Sequence, residues 1–272
     1  MRLTNPDIIK AITSHWKGDR DPNGRPLVPD DILQRMEDVT TEEAWDVLQR
    51  NGYTEQFEGG WKVLRPDHVL VGRAVTCRYV PGRPDIEEAV NALGEREGRI
   101  GSQNSWAIDE LVKDDVIVVD LFGKIRDGGF AGDNLSTAIK VKTNRGMVID
   151  GTDRDVQGIL KIPEFGVFVR DWHPSAFADV TMVEINGITR IGGVTCLPGD
   201  VVLGTVTGVI FIPPHLAQEV VEYSEETRAR DEFGQQRIAE GVYTPGEVDR
   251  VFSEEMERDF QQWRANRDIS DT

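Results

Sequence analysis

Two glycine-containing turns carry the charged residues of this chain that could do chemistry. One is Asp-Gly-Thr-Asp-Arg-Asp at 150–155, directly after the apolar run at 147–149, and the other is Gly-Gly-Phe-Ala-Gly-Asp-Asn-Leu at 128–135. A short buried strand that stops at glycine and continues into charged residues often presents functional groups at the edge of a sheet. We predict that the two turns meet and form one metal and anion site.

The residue types in these turns indicate how such a site would work. Carboxylates at Asp133 and Asp155 could share a hard divalent cation, because such ions prefer oxygen ligands. The guanidinium of Arg154 could hold a substrate carboxylate through two parallel hydrogen bonds. The backbone amides of Asn134 and Leu135, at the start of a helix predicted over 135–143, would add anion donors. Together these groups could stabilise an enolate that develops beside a carboxylate.

A purely structural role is the main alternative for the same residues. Gly-Asp turns are common, and on the residue types alone Asp133 is more simply explained as a cap on the following helix. Asp153 could equally be the metal ligand, and Asp150 is expected to cap or pair structurally. The residue types leave these alternatives open.

Composition narrows the classes of partner. The chain has 272 residues, with 31 basic against 48 acidic side chains and a net charge of −17, which argues against nucleic acid or an anionic membrane as a partner. Cys77 and Cys196 lie in apolar, strand-like runs and are expected to be reduced core thiols, which favours a cytoplasmic protein. The apolar runs, of about five or six residues, are too short for a signal peptide or a membrane span.

Three regions are expected along the chain: an N-terminal arm (1–39), a catalytic domain (40–213) and a C-terminal helical extension (214–272). Thr-Thr-Glu-Glu at 40–43 is typical of a helix start. The short strands predicted between 69 and 212, including one at 188–194, indicate a β-rich mixed α/β fold. Residues 19–29 read as a surface loop, and 81–102, rich in glycine, as an insertion or flap.

The C-terminal extension is predicted to form two helices, over 215–240 and 247–264. The second has an apolar stripe that must pack against its own domain or a neighbouring subunit. Three histidines, His15, His68 and His215, are too scattered in the sequence to suggest a shared metal site. His173, before Pro174, is expected to be a structural turn residue.

The two turns, taken with several other motifs, resemble the RraA-like superfamily. These motifs are Val-Gly-Arg-Ala-Val-Thr at 71–76, His-Pro-Ser at 173–175, and Pro-Gly-Asp at 198–200 running into Gly-Val at 208–209. The superfamily includes the class II 4-hydroxy-4-methyl-2-oxoglutarate (4-carboxy-4-hydroxy-2-oxoadipate) aldolases, and the resemblance spans residues 40–230. It implies a swivelling β/β/α fold, here with an N-terminal arm and extended C-terminal helices. It also implies a homotrimer or homohexamer with sites between subunits.

The resemblance also implies a role for each residue of the site. Arg154 would bind the pyruvate carboxylate, and Asp155 would help to hold Mg²⁺ or Mn²⁺. Asp133 would support the waters of the metal, and an acid from the C-terminal helix of a neighbouring subunit, Glu232 or Asp231, would approach it. The backbone around the Gly-Asp turn would bind substrate through Gly132, Asn134 and Leu135.

The reaction that the resemblance implies is the retro-aldol cleavage of a 4-hydroxy-2-oxo acid. The metal and Arg154 would stabilise a pyruvate enolate, and the same site would decarboxylate oxaloacetate. Two alternatives remain. The chain could be a non-enzymatic regulator that binds RNase E, as other members of the superfamily are, or a hydratase or dehydratase that acts on a 2-oxo sugar acid.

The chain departs from the aldolase pattern in the part expected to bind the rest of the substrate. Where the aldolases carry a Gly-Asp-Asn segment and a nearby histidine, this chain has Pro-Gly-Arg-Pro-Asp at 81–85 followed by the insertion, and Thr205 and Thr207 replace acids. The second half of the substrate is therefore expected to differ. Arg83, Asn104 and Trp106 could contact it, although a structural role is an equal alternative for each.

Overall fold

A computed structural model describes residues 3–270, with side chains over 3–267. The chain divides into two compact units, Met1–Val220 and Val221–Thr272. Among the described residues, no helix combines the length and the apolar character needed to cross a membrane.

The first unit is built on a mixed sheet. Its order is β1-β11-β10-β3-β4-β5-β6-β2, with β7 paired to β3, while β8 and β9 form a separate hairpin. The strands are β1 (Phe57–Glu58), β2 (Lys62–Val63), β3 (Leu70–Pro81), β4 (Asp115–Asp120), β5 (Met147–Asp153), β6 (Val167–Trp172), β7 (Val180–Ile185), β8 (Thr189–Ile191), β9 (Val194–Cys196), β10 (Val201–Thr205) and β11 (Gly208–Ile212).

The helices of the first unit are α1 (Pro6–Ile12), α2 (Asp30–Met36), α3 (Thr41–Arg50), α4 (Pro84–Arg96), α5 (Gln103–Asp109), α6 (Asp133–Thr143), α7 (Val156–Ile159) and a 3₁₀ turn (Pro214–Leu216). Helix α8 (Ala217–Ala239) begins at the end of the first unit, and α9 (Pro245–Val248) and α10 (Glu254–Ser270) belong to the second. The predicted start of α3 is confirmed by a capping box, in which the Thr40 hydroxyl accepts from the Glu43 amide and the Glu43 carboxylate accepts from the Thr40 amide.

Strands β3 to β6 run parallel in the middle of the sheet. Both of their faces are buried, so β4 is a continuous run of valine and isoleucine rather than an alternating pattern. Ile117 and Val119 pack into one core, and Val116 and Val118 pack into the other. Because parallel strands end at the same edge, the ends of β4 and β5 bring Asp120 and Asp150 side by side.

The segment at 81–102 was predicted to be an insertion or flap, and the flap alternative is wrong because its helix packs into the core. Helix α4 buries Val90 and Leu93, and α5 buries Trp106 in the same cluster. A Cβ at Gly94 would lie 2.3 Å from the Trp106 ring. This glycine therefore allows a helix and an indole to pack closely, whereas the sequence suggested that it marks a loop.

The loop at 19–29, expected at the surface, contributes a buried side chain. Arg25 is 2% exposed and donates to both carboxylate oxygens of Asp115, at 2.7 and 3.1 Å. Asp115 is itself fully buried at the start of β4. Removing one member of a buried ion pair leaves an uncompensated charge, so the N-terminal segment is tied firmly to the sheet.

The strand predicted at 188–194 needs correction. It is a hairpin, because Gly192 adopts a left-handed conformation (φ +57°) between β8 and β9.

Two histidines that are far apart in the sequence meet in the fold. The rings of His15 and His215 have centroids 5.0 Å apart, although no metal-binding group of three is found among the described residues. The Tyr53 hydroxyl lies 3.2 Å from Nε2 of His215.

The second unit is a helical hairpin with its own small core. The helix predicted at 247–264 is interrupted after α9, and α10 begins anew beyond Ser253, whose hydroxyl accepts from the Met256 amide. The predicted apolar stripe packs within this unit, around the buried side chains of Phe233, Met256 and Phe260. Val251, by contrast, is 94% exposed.

A buried carboxyl at the start of β10 makes stability depend on pH. Asp200 Oδ2 accepts from the Leu197 amide at 2.8 Å, its Oδ1 has no partner within the described chain, and burial raises its pKa to about 8. The pKa of Asp200 is higher in the folded state than in the unfolded chain, so the folded state binds this proton more tightly. The stabilisation that this proton gives is fully present below about pH 4 and is lost as the pH rises towards about 8.

We therefore expect the free energy of unfolding to fall more steeply with pH in the wild type than in Asp200→Asn. The amide of the variant can donate as the protonated acid does, but it does not titrate in this range. Urea denaturation at a series of pH values between about 4 and 8 measures the two slopes. Equal slopes would show that Asp200 keeps an ordinary pKa in the fold.

Candidate active site

The structure brings the two charged turns together by backbone hydrogen bonds. The Phe130 amide donates to the Thr152 carbonyl at 3.0 Å, and the Thr152 amide donates to the Gly128 carbonyl at 3.1 Å. These bonds extend the parallel pairing of the sheet by one bridge, between Gly129 and Thr152. The glycine-rich turn that leads into α6 is thus attached to the end of β5.

Asp153 links the two turns through buried hydrogen bonds. Its Oδ1 accepts from the amides of Ala131 and Arg154, at 3.1 and 2.9 Å, and the side chain is fully buried. Burial raises its pKa well above the usual range, and within the described residues Oδ2 has no hydrogen-bond partner. The sequence left Asp153 open as a metal ligand, whereas this geometry gives it a structural role.

The two predicted metal carboxylates each lie against a glycine. The position that a Cβ would take at Gly132 lies 2.4 Å from Asp155 Oδ2, and the equivalent position at Gly158 lies 2.6 Å from Asp133 Oδ2. Side chains at these glycines would displace the carboxylates. Asp155 is exposed and adopts a left-handed conformation (φ 59°) as the residue before α7, which aspartate tolerates better than most residues.

Arg154 extends over the same glycine turn. Its Nη1 lies 3.4 Å from Asp155 Oδ2, and its Nε lies 3.4 Å from the Cβ position at Gly132. The side chain is 42% exposed, so its remaining donors can reach a ligand. A guanidinium held in this way can bind a substrate carboxylate while its neighbour Asp155 limits its movement.

The start of α6 adds backbone donors beside these side chains. The helix begins at Asp133, and Gly132 precedes it without a side chain that could cap the first amides. Asp133 Oδ1 accepts from the Asn134 amide at 2.9 Å. The positive end of the helix dipole therefore favours an anion at this turn. Asp133 caps only its own neighbour, so one of its oxygens remains available.

A cavity of about 260 Å³ joins these groups. It is lined by Ser102, Asn104, Ser105, Gly129, Phe130, Ala131, Gly132, Asp133, Asn134, Leu135, Arg154, Ala176 and Phe177. Its size is at the lower end of ligand pockets and fits a small metabolite. The structure thus places Arg154 and the predicted residues at 132–135 around one cavity, with Asp155 against its Gly132 wall.

The donor set fits a hard divalent cation. Asp133 and Asp155 offer carboxylate oxygens, the ligands that magnesium and manganese prefer, and each has room because its neighbour is glycine. Among the described residues, no group of three or more histidine, cysteine or acidic side chains could hold a metal ion. A cation here would therefore take its further ligands from water or from another chain, as magnesium commonly does.

Other predicted residues lie elsewhere. Glu232 is in α8 of the second unit, half exposed and ion-paired with Arg267, so its approach to a neighbouring subunit's metal stays a prediction. Asp231 lies beside it in α8. Asp150 pairs structurally, as predicted, with Arg170. His173 contacts Ser175 within its turn, with Nδ1 2.7 Å from the hydroxyl.

Of the three residues predicted as possible contacts for the second half of the substrate, one lies in the cavity and two do not. Arg83 is 68% exposed and paired with Asp85, and Trp106 is buried and donates to the Gly101 carbonyl. Only Asn104 lines the cavity, where its Nδ2 donates to the Phe130 carbonyl at 2.7 Å. Ser102 and Ser105 also line the cavity, and neither was predicted to do so, although their spacing at a helix start was a usable signal.

Comparison with known proteins identifies the family. The family described as RraA-like (Aldolase/RraA) matches residues 40–211, which is more than half of the chain and contains both turns. The chain belongs to the RraA-like family. The match confirms the predicted family, and the mixed α/β sheet confirms the predicted fold class.

Related RraA-like proteins are distant. The chain is 29% identical over 164 residues to a protein of Methanocaldococcus jannaschii, covering 58% of this chain and 78% of that one. It is 31% identical over 136 residues to a protein named putative 4-hydroxy-4-methyl-2-oxoglutarate aldolase of Halalkalibacterium halodurans. That match covers 50% of this chain and 64% of the relative, slightly under two thirds of its length.

The RraA-like fold is also seen in solved structures. The crystal structure of Streptomyces coelicolor RraAS2, described as an unusual member of the RNase ES inhibitor RraA family, superimposes with a TM-score of 0.66 at 23% identity. The superposition covers 78% of this chain and 98% of that one. At this identity the likeness concerns the fold alone.

Proposed function

We propose that the protein is a divalent-metal-dependent lyase that cleaves a 4-hydroxy-2-oxo acid through a pyruvate enolate. One observation carries the proposal: Arg154 lies beside Asp155 and lines the same cavity as Asp133 at the start of α6, and each carboxylate is held against a glycine. The name of the Halalkalibacterium relative, a putative 4-hydroxy-4-methyl-2-oxoglutarate aldolase, supports the same reaction class.

In this proposal the carboxylate of the 2-oxo acid binds to Arg154 and to the first amides of α6. A bidentate guanidinium contact fixes the plane of the carboxylate and therefore the direction of the adjoining carbonyl. The C4 hydroxyl loses its proton, the C3–C4 bond breaks to give a carbonyl product, and the electron pair forms pyruvate enolate. Protonation at C3 then completes pyruvate.

A divalent cation bound by Asp155, with Asp133 beside it, would supply the positive charge that the enolate oxygen requires. Arg154 and the α6 dipole add to that positive field from the carboxylate side. Oxaloacetate forms the same enolate when it loses carbon dioxide, so its decarboxylation is expected as a side activity. Asp153 does not react but holds the amides of Ala131 and Arg154 in position.

We also propose that the working form is a homotrimer or homohexamer. The two carboxylates leave metal positions that an acid of another chain could complete, and Glu232 is the candidate. The assembly is measured by light scattering or sedimentation. A monomer that retains full activity would exclude a shared site.

The reaction class is tested with a panel of 4-hydroxy-2-oxo acids in the presence of Mg²⁺ or Mn²⁺. Pyruvate release, followed with a coupled dehydrogenase, is the expected result for at least one member. Water addition or loss without pyruvate would indicate a hydratase or dehydratase. Failure of every member, together with micromolar binding to RNase E, would replace the lyase with the regulator.

A further inference from the structure

Helix α5 and the residue before it form one wall of the candidate active site, and they supply two hydroxyl groups. Ser102 immediately precedes α5 and Ser105 follows three residues later, and both line the cavity. Residues at this spacing share one face of a helix. The exposed Ser102 side chain makes no capping hydrogen bond, so its hydroxyl can bind a ligand in the cavity.

This wall is held rigidly by its other side chains. Gln103 accepts from the Met182 amide at 2.7 Å and donates to Asn91 Oδ1 at 3.0 Å. Asn104 donates to the Phe130 carbonyl at 2.7 Å and accepts from the Ser105 amide at 3.0 Å. Both side chains, Gln103 and Asn104, are nearly completely buried. The backbone that carries the two serines is therefore held in place beside the glycine turn that leads into α6.

The rest of the described lining carries no further charge. Its charged side chains are Arg154, used by the substrate carboxylate, and Asp133, used by the metal. Asn134 adds a neutral side-chain amide, and Ala176 and Phe177 contribute apolar surface. A substrate held by Arg154 thus presents the remainder of its chain to two hydroxyls in a lining that is otherwise neutral. Hydroxyl groups on the substrate can pair with these serines, whereas a second carboxylate would lose hydration without gaining a cation.

We propose that the substrate is a 4-hydroxy-2-oxo acid whose tail carries neutral hydroxyl groups, of the 2-oxo-3-deoxy sugar acid class. Ser102 and Ser105 bind that tail. This inference rests on the proposed lyase function, and it assigns the half of the pocket that lies beyond the pyruvate portion. It also explains the departure at 81–106 as a rebuilt, hydroxyl-bearing wall.

The test compares kcat/KM for three probes: 2-oxo-3-deoxygluconate, its tail-deoxygenated analogue 4-hydroxy-2-oxohexanoate, and 4-hydroxy-4-methyl-2-oxoglutarate. The wild type is expected to prefer the first over the third by at least about tenfold. In Ser102→Ala/Ser105→Ala the preference for the first over the second should fall about tenfold, since two neutral hydrogen bonds are lost. Ser14→Ala, an exposed serine of the N-terminal segment, is the matched control and should keep the wild-type ratio.

The outcomes separate the two proposals. A wild type that prefers the dicarboxylate, or that decarboxylates oxaloacetate but cleaves none of the three, overturns the inference and leaves the lyase site in place. An unchanged ratio in the double variant also overturns it. A protein that releases no pyruvate from any probe or from oxaloacetate fails the lyase proposal itself.

Discussion

Replacing Arg154 with alanine is expected to lower kcat/KM for oxaloacetate decarboxylation by about 10²–10³-fold, the usual loss when one stabilising donor group is removed from an active site. The guanidinium lies over the Gly132 turn beside Asp155, where it can hold the substrate carboxylate and the developing enolate together. Arg154→Lys keeps the charge but loses the planar pair of donors, so it should recover only part of the activity.

Arg83→Ala is the matched control for this experiment. Arg83 is also an exposed arginine paired with a neighbouring aspartate, but it lies outside the cavity lining. Its variant should keep wild-type kinetics. Steady-state assays with a coupled pyruvate readout measure all three variants. If Arg154→Ala retains most of the activity, the carboxylate is bound elsewhere.

Gly132→Ala is expected to weaken Mn²⁺ binding by about 10–100-fold, with a matching loss of activity. The new Cβ would lie 2.4 Å from Asp155 Oδ2, so the carboxylate must rotate away from its place. Gly132 has an ordinary backbone conformation (φ −130°), which alanine can adopt. The substitution should therefore displace one metal ligand without unfolding the turn.

Mn²⁺ binding is measured by electron paramagnetic resonance or calorimetry on the metal-free protein. Gly246→Ala is the control, because that glycine lies in α9 with no atom within 4 Å of its Cβ position. Both variants should unfold at similar temperatures. Wild-type Mn²⁺ affinity in Gly132→Ala would show that Asp155 is not a ligand.

The paired turns could be predicted from sequence because their information is local. A buried strand, a glycine and a run of charged residues occur next to each other in the chain, and the start of α6 follows the second turn directly. The role of Asp153 could not be predicted in this way. Its function depends on two amides, one of them Ala131 in the other turn, and only the folded pairing brings that amide within reach.

The region at 81–106 has a glycine-rich composition that does not reveal its place in the core. Its glycines suggest an insertion or flap, whereas Gly94 is required for contact with the Trp106 ring. A sequence does not distinguish a glycine that avoids a steric clash in the core from a glycine that permits a turn. The two serines of the cavity wall were missed for a related reason, because their importance arises from α5 being fixed against the glycine turn.

The N-terminal segment also differs from the structure expected from its composition. The residues around Arg25 have the composition of a surface loop, yet the guanidinium forms a buried pair with Asp115, which lies far along the chain. Sequence patterns report local preferences well, whereas pairs between distant residues depend on topology. The family match covers residues 40–211, so Arg25 and the rest of the N-terminal segment lie outside the part of the chain whose fold the resemblance could predict.

The most direct test of the lyase account is pyruvate release from oxaloacetate by the full-length protein, before and after removal of divalent metal. The background rate of the free metal is subtracted. We predict enzyme-dependent pyruvate formation with Mg²⁺ or Mn²⁺, loss of that activity with excess chelator, and its return when the metal is restored. A rate that equals the free-metal background, or one that the chelator leaves unchanged, would contradict a metal-dependent site at Asp133, Arg154 and Asp155.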